Sequence, residues 1–129
     1  MYQELSEQEI QRREKLVKLR EIGIDPYPAE EFKVDCSAED ILKNYESNKT
    51  LYKTVTFAGR LMRRRMMGKA AFAVLQDSSA RIQLYFNRDE ICPGEDKTMY
   101  NDVFKKLVDL GDIIGVKGYV FTTEVGEIT

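Results

Sequence analysis

Arg60, Arg63, Arg64, Arg65 and Lys69 place five cationic side chains within ten residues, with no acid among them. Two runs of strand-like alternation follow, Ala70 to Asp77 carrying Phe72 and Arg81 to Phe86 carrying Gln83. Cation, aromatic ring and carboxamide on one surface suit a single-stranded nucleic acid. The charges meet phosphates, the ring stacks a base, and the amide reads its edge.

Whether those groups can meet depends on register. Asp77-Ser78-Ser79-Ala80 is a turn sequence. If Ser78 and Ser79 form a two-residue hairpin loop, Phe72 pairs with Tyr85 and Val74 with Gln83. Phe72 and Gln83 are then diagonal neighbours on one face, roughly 7–8 Å apart in the backbone and within side-chain reach. The opposite face pairs Ala71, Ala73 and Leu75 with Phe86, Leu84 and Ile82, and is the better core. A phenylalanine on a strand is core by default, so the functional reading requires Phe72 to be exposed. In an extended strand, alternation points Arg64 away from Arg63 and Arg65, so the three arginines cannot share one role.

Length and composition bound the rest. At 129 residues, the chain suits one elaborated domain, or one domain with an extension. Its net charge of −2 makes it no blanket binder of polyanions, so any nucleic-acid affinity must come from the local cluster. No apolar run approaches the ~20 residues of a membrane helix. No signal peptide is evident at the start, and a cytoplasmic location is expected. Cys36 and Cys92 lie far apart in a chain without histidine, so free thiols rather than a metal site are expected. There is no glycine-rich phosphate loop and no catalytic carboxylate pair, so no catalytic residue is assigned.

The elements that must present the face follow in order. Ser6-Glu7-Gln8-Glu9 has the form of a capping box, and predicts a helix to about Glu21 that packs on a neighbour through Ile10, Leu16, Val17 and Leu19. Gly23 ends it, and Ile24 to Pro28 is extended. Ser37 caps a second short helix with an apolar face of Ala38, Ile41, Leu42 and Tyr45. The compact domain is expected from residue 51, with 1–50 as a helical extension. Alternation from Leu51 through Val55, Phe57, Gly59 and Leu61 gives strand one, which Met66 to Lys69 break. Strands two and three form the hairpin already described. Tyr100, Val103, Phe104 and Leu107 mark an amphipathic helix capped by Thr98 and ended at Gly111. Ile113 to Thr122 is strand four, with Gly115 and Gly118 as bends or bulges. Glu127-Ile128-Thr129 begins a fifth strand, and the chain is expected to be a piece of a longer one. Three strands, a helix and two strands is the order of an OB-fold, a mainly β five-stranded Greek-key barrel whose ligand surface lies on strands two and three.

Arg13 to Pro28, ending Asp-Pro-Tyr-Pro, together with Ala58 to Tyr85 and Asp109 to Gly118, resembles the amino-terminal anticodon-binding domain of bacterial-type class II lysyl-tRNA synthetases. The central stretch is shared more loosely with the aspartyl and asparaginyl enzymes. The resemblance implies that Phe72 stacks on the central uracil of a UUU-type anticodon and that Gln83 and Arg65 hydrogen-bond its edge. It further implies that Glu127 approaches a neighbouring base. Arg60, Arg63, Arg64 and Lys69 are left as phosphate contacts. The implied partner is tRNA(Lys), and the whole enzyme is expected to be a homodimer using ATP and magnesium, with no cofactor in these residues. Ala71 stands where the family commonly has serine, Ser79-Ala80 where glycines are common, and the loop from Cys92 to Met99 is longer. The rival reading from the residues alone is a stand-alone single-strand binder with little sequence preference.

Overall fold

The computed structural model describes residues 6–24 and 32–129. The expected extended stretch around Pro26 and Pro28 lies outside them. Helix α1 (Glu7–Glu21) starts where the sequence places it, with the Ser6 hydroxyl accepting from the Glu9 N–H at 3.2 Å. Gly23 closes it in the left-handed region (φ +89°), while the Gly23 and Ile24 N–H groups turn back to the carbonyls of Arg20 and Leu19. None of its side chains is buried. Leu16 and Leu19 are half-buried, and Lys15 forms an ion pair with Asp109.

Helix α2 (Ala38–Asn44) is capped by Ser37, which accepts from the Asp40 N–H at 3.1 Å. Ala38, Ile41 and the following Tyr45 are buried in one core with Phe57, Leu61 and Leu75 of the sheet, while Leu42 stays exposed. The Asp77 carboxylate accepts from the Ala38 N–H at 2.8 Å and ties the start of α2 to the sheet.

The sheet comprises β1 (Val55–Met67), β2 (Ala70–Gln76), β3 (Arg81–Asn87) and β4 (Ile113–Gly118), all antiparallel, in the order β3-β2-β1-β4. The β2–β3 register is the one derived from a Ser78-Ser79 loop: Phe72 faces Tyr85, and Val74 faces Gln83. Strand β1 runs through Met66 and Met67, where the sequence reading placed a break. Only Gly68 and Lys69 form the turn, with Gly68 at φ +62°. A bulge between Leu61 and Arg63 leaves Met62 as the extra residue of β1. The β4 glycines make no bulge against β1. Gly115 pairs regularly with Ala58, and a Cβ on it would come within 2.7 Å of the Phe32 ring, so glycine there admits that ring.

Between β3 and β4 lie one helical turn, α3 (Arg88–Ile91), and a helix over Met99–Leu107 that buries Tyr100, Val103, Phe104 and Leu107 as their spacing requires. That helix is wound as a π-helix, with the Val108 N–H reaching five residues back to Val103. Two expectations are corrected there. Thr98 makes no side-chain cap; instead Asp96 accepts from the Thr98 N–H at 2.9 Å. The helix ends at Leu107 rather than Gly111, because Arg64 Nη1 reaches from β1 to the carbonyls of Phe104 and Val108 at 2.7 and 2.6 Å. Gly111 (φ +95°) instead shapes the turn into β4. Strand β4 also stops short of Thr122. The expected fifth strand is represented by a single bridge between Thr122 and Ile128, beside which Phe121 and Thr129 exchange both backbone hydrogen bonds. The described residues thus form four strands curled into a half-barrel.

Candidate nucleic-acid interface

Pleating sorts the central strands into two chemistries. Leu61, Ala71, Ala73, Leu75 and Ile82 point inward and are buried. The outward residues fall into three rows across β1, β2 and β3, because the paired residues share a face. The first row is Arg65, Phe72 and Tyr85; the second is Arg63, Val74 and Gln83; the third is Arg60, Gln76 and Arg81.

The first row combines charge with rings. Phe72 is half-buried and leans on Tyr85, with ring centroids 5.2 Å apart and a tilt of 55°. Arg65 is exposed beside it. Among the described residues, neither Arg65 nor Arg63 has an ion-pair or side-chain hydrogen-bond partner, so both guanidinium groups are available to an outside acceptor. Arg60 is exposed and donates to the Gly111 carbonyl at 3.2 Å. Lys69 is exposed in the β1–β2 turn.

Gln83 lies one row below Phe72, as the diagonal geometry requires. Its Nε2 donates to the Thr129 hydroxyl at 3.4 Å, and that hydroxyl donates to the Glu127 carbonyl at 3.2 Å. Glu127 is exposed in a tight turn, with its N–H on the Thr123 hydroxyl at 3.1 Å and Gly126 at φ +88°. Turn and amide are therefore linked through one threonine.

Arg64 does not join this face. Its partner is inward-facing Ala73, and its guanidinium is engaged at the end of the 99–107 helix, 5.6 Å from the Phe104 ring centroid. Three arginines adjacent in sequence thus divide two to one between the faces.

The sequence reading missed the extent of the aromatic surface. Phe121 lies 6.3 Å from Tyr85, and Tyr119 lies 6.0 Å from Phe121. The signal was present, since Tyr119 and Phe121 flank Val120, which belongs to the core. Cys36 and Cys92 are free and buried. Burial, with the Asp35 side chain beside it, pushes the Cys36 thiol up to about 12, so it is no nucleophile near neutral pH.

Comparison with known proteins fits this geometry. A tRNA anti-codon family model, described as an OB-fold nucleic acid binding domain, matches residues 55–129. The lysine–tRNA ligase of Christiangramia forsetii is 58% identical over 127 residues, covering 98% of this chain and 22% of that protein. The Porphyromonas gingivalis W83 lysine–tRNA ligase is 56% identical with the same coverages. That of Enterobacter sp. is 46% identical over 92% of this chain and 23% of its own length. The chain spans about a fifth of the length of these relatives.

Proposed function

Because the chain belongs to the family of OB-fold nucleic acid binding domains, we propose that it is the anticodon-reading part of a lysine–tRNA ligase and that its partner is tRNA(Lys). The observation that carries this reading is the row Arg65–Phe72–Tyr85 on the outside of a sheet whose inner side is packed, with Gln83 one row away.

Phe72 stacks the central base of a UUU-type anticodon. Its ring is braced from the side by Tyr85, which limits the ordering that stacking requires. Gln83 hydrogen-bonds the base edge. With Nε2 turned to Thr129, its carbonyl oxygen is the end left for the N3–H of uracil. Arg65 supplies a donor to the same base. Glu127 serves as an acceptor for a neighbouring base, and contributes discrimination more than affinity because a carboxylate near phosphates is repelled. Arg60, Arg63 and Lys69 contact the phosphates. Arg64 holds the 99–107 helix instead.

The strand order β3-β2-β1-β4 and the Thr122–Ile128 bridge support a five-stranded Greek-key barrel with a helix between its third and fourth strands. We take residues 51–129 as that barrel and 1–50 as a helical extension, although α2 shares the barrel's core. Activation of lysine with ATP and magnesium belongs to the remainder of the ligase, which acts as a homodimer in the cytoplasm. The outer face offers arginines and rings, and the described residues include no group of three metal-ligating side chains.

Titration with RNA hairpins at fixed salt tests the proposal. A loop carrying UUU should bind tighter than one with its middle base changed, by about 1–3 kcal/mol if the cost of a mismatched base in direct readout transfers. Equal affinity for the two loops would overturn anticodon reading and leave a sequence-blind single-strand binder.

A further inference from the structure

The aromatic surface does not stop at the residue that stacks the central base. Phe72, Tyr85, Phe121 and Tyr119 form a continuous path, each ring 5.2 to 6.3 Å from the next. It crosses from β2 over the outer edge of β3 to the segment after β4. Of the four rings Tyr119, at the far end, is the most exposed, at 59%. Lys117, two residues earlier, is exposed as well. Tyr85, Lys117, Tyr119 and Phe121 also touch a cleft of about 660 Å³ whose lining is mostly inner-side apolar residues, Phe57, Ile82, Val103 and Phe104 among them.

We infer that Tyr119, supported by Phe121, is a second stacking position that takes the base next to the one on Phe72, with Lys117 facing the intervening phosphate. This rests on the anticodon reading and extends it by one nucleotide. The occupant is an unpaired base of the same strand, for two reasons. The path begins at the proposed central site, so a strand leaving Phe72 meets Tyr119 without leaving the protein. Cations also stand at both ends, Arg65 and Arg63 on the strand beside Phe72 and Lys117 two residues before Tyr119, as a polyanion requires and an apolar partner does not. Successive bases stacking on successive rings is the general mode of single-strand recognition.

The test is a titration of wild type, Tyr119→Ala, Tyr119→Phe and Phe72→Ala with a UUU-loop hairpin. It is repeated with hairpins made abasic on the 5′ or the 3′ side of the central base. Tyr119→Ala should weaken binding of the intact loop by about fivefold or more, the lower end of what one stacked base contributes. Tyr119→Phe should stay within about twofold, since stacking needs the ring and not the hydroxyl. The Tyr119→Ala loss should vanish on one of the two abasic hairpins, which identifies the neighbour. A full-affinity Tyr119→Ala variant, in a chain that Phe72→Ala still weakens, would overturn the second position alone. So would a loss that persists on both abasic hairpins. If Phe72→Ala also binds normally, the anticodon reading itself fails and this inference with it. Tyr119 is exposed, so the variants should stay folded, which circular dichroism checks.

Discussion

Each residue of β2 differs from its neighbour in what surrounds it. Ala71, Ala73 and Leu75 face the core, and Phe72, Val74 and Gln76 face outward. The same division runs through β1, where Leu61 is wholly buried while Arg63 and Arg65 are exposed. The inner face is chemically plain and closely packed, so its tolerance is set by volume. The outer face is chemically rich, and among the described residues its Arg63 and Arg65 have no ion-pair or side-chain hydrogen-bond partner, while Arg60 and Arg81 donate to the Gly111 carbonyl and the Gln76 side chain. Arg64 shows that side-chain type does not decide the assignment. It is an arginine among arginines, yet it sits on the inner face and its charge is spent on two helix carbonyls. Position in the pleat, more than residue identity, separates what holds this molecule together from what it offers to a ligand.

The comparison breaks most visibly if an inner-face residue is truncated. Leu75→Ala should lower the unfolding free energy by about 2–5 kcal/mol, as for other buried leucines. RNA affinity per folded molecule should not change, and denaturant titration alongside RNA titration checks both. Next in size is a matched pair. Phe72→Ala should cost about 1–3 kcal/mol of RNA binding with a smaller loss of stability. Arg64→Ala should do the reverse, losing about 1–3 kcal/mol of stability because two carbonyls lose a charged donor. If Arg64→Ala weakened RNA binding as much as Phe72→Ala while staying fully stable, the assignment of faces would be wrong. A smaller effect sharpens the outer face itself. Arg63→Ala should leave the Tm unchanged and reduce the salt dependence of RNA binding by about one unit of log–log slope.

Much of this division was legible in the sequence because strand alternation has a fixed period and the Ser78-Ser79 loop allowed only one register. The core face, the outward position of Phe72 and the separation of Arg64 from its neighbours all follow from that. What could not be read was set by contacts distant in sequence. Arg64 ends a helix forty residues later, so no local signal marked Leu107 as the stop. Gly115 reads as a bend or bulge because its reason, the ring of Phe32, lies far upstream. The chain was extended through Met66 and Met67 because pairing with Ala71 and Ala70 outweighs the break suggested by composition. Tyr119 and Phe121 went unnoticed because the curl that brings them beside Tyr85 is a property of the whole sheet.

The division also depends on something neither face contains. A slip of one residue between β2 and β3 would exchange inside for outside, and the turn joining them adds to the packed inner face in opposing it. Neither serine of that turn adopts the left-handed backbone that tight hairpins favour. The Asp77 carboxylate does the holding instead, accepting from the Ser79 hydroxyl at 2.6 Å and from the N–H groups of Ser79 and Ala80 at 2.8 and 3.0 Å. Burial works to raise the Asp77 pKa, but these bonds and the one from Ala38 outweigh it, and the carboxyl lies below its usual 3.8. A group whose pKa is lower folded than unfolded contributes its stability above the unfolded value and loses it as pH falls through the folded one. Wild type should therefore lose stability as pH falls below about 5 and on through the lowered folded value, and Asp77→Asn should start less stable and lose less over the same fall. At neutral pH the folded fraction of Asp77→Asn should still bind the UUU loop, because the packed inner face opposes the slip. A folded Asp77→Asn variant that no longer bound would mean that the turn, and not the core, keeps Phe72 on the outside.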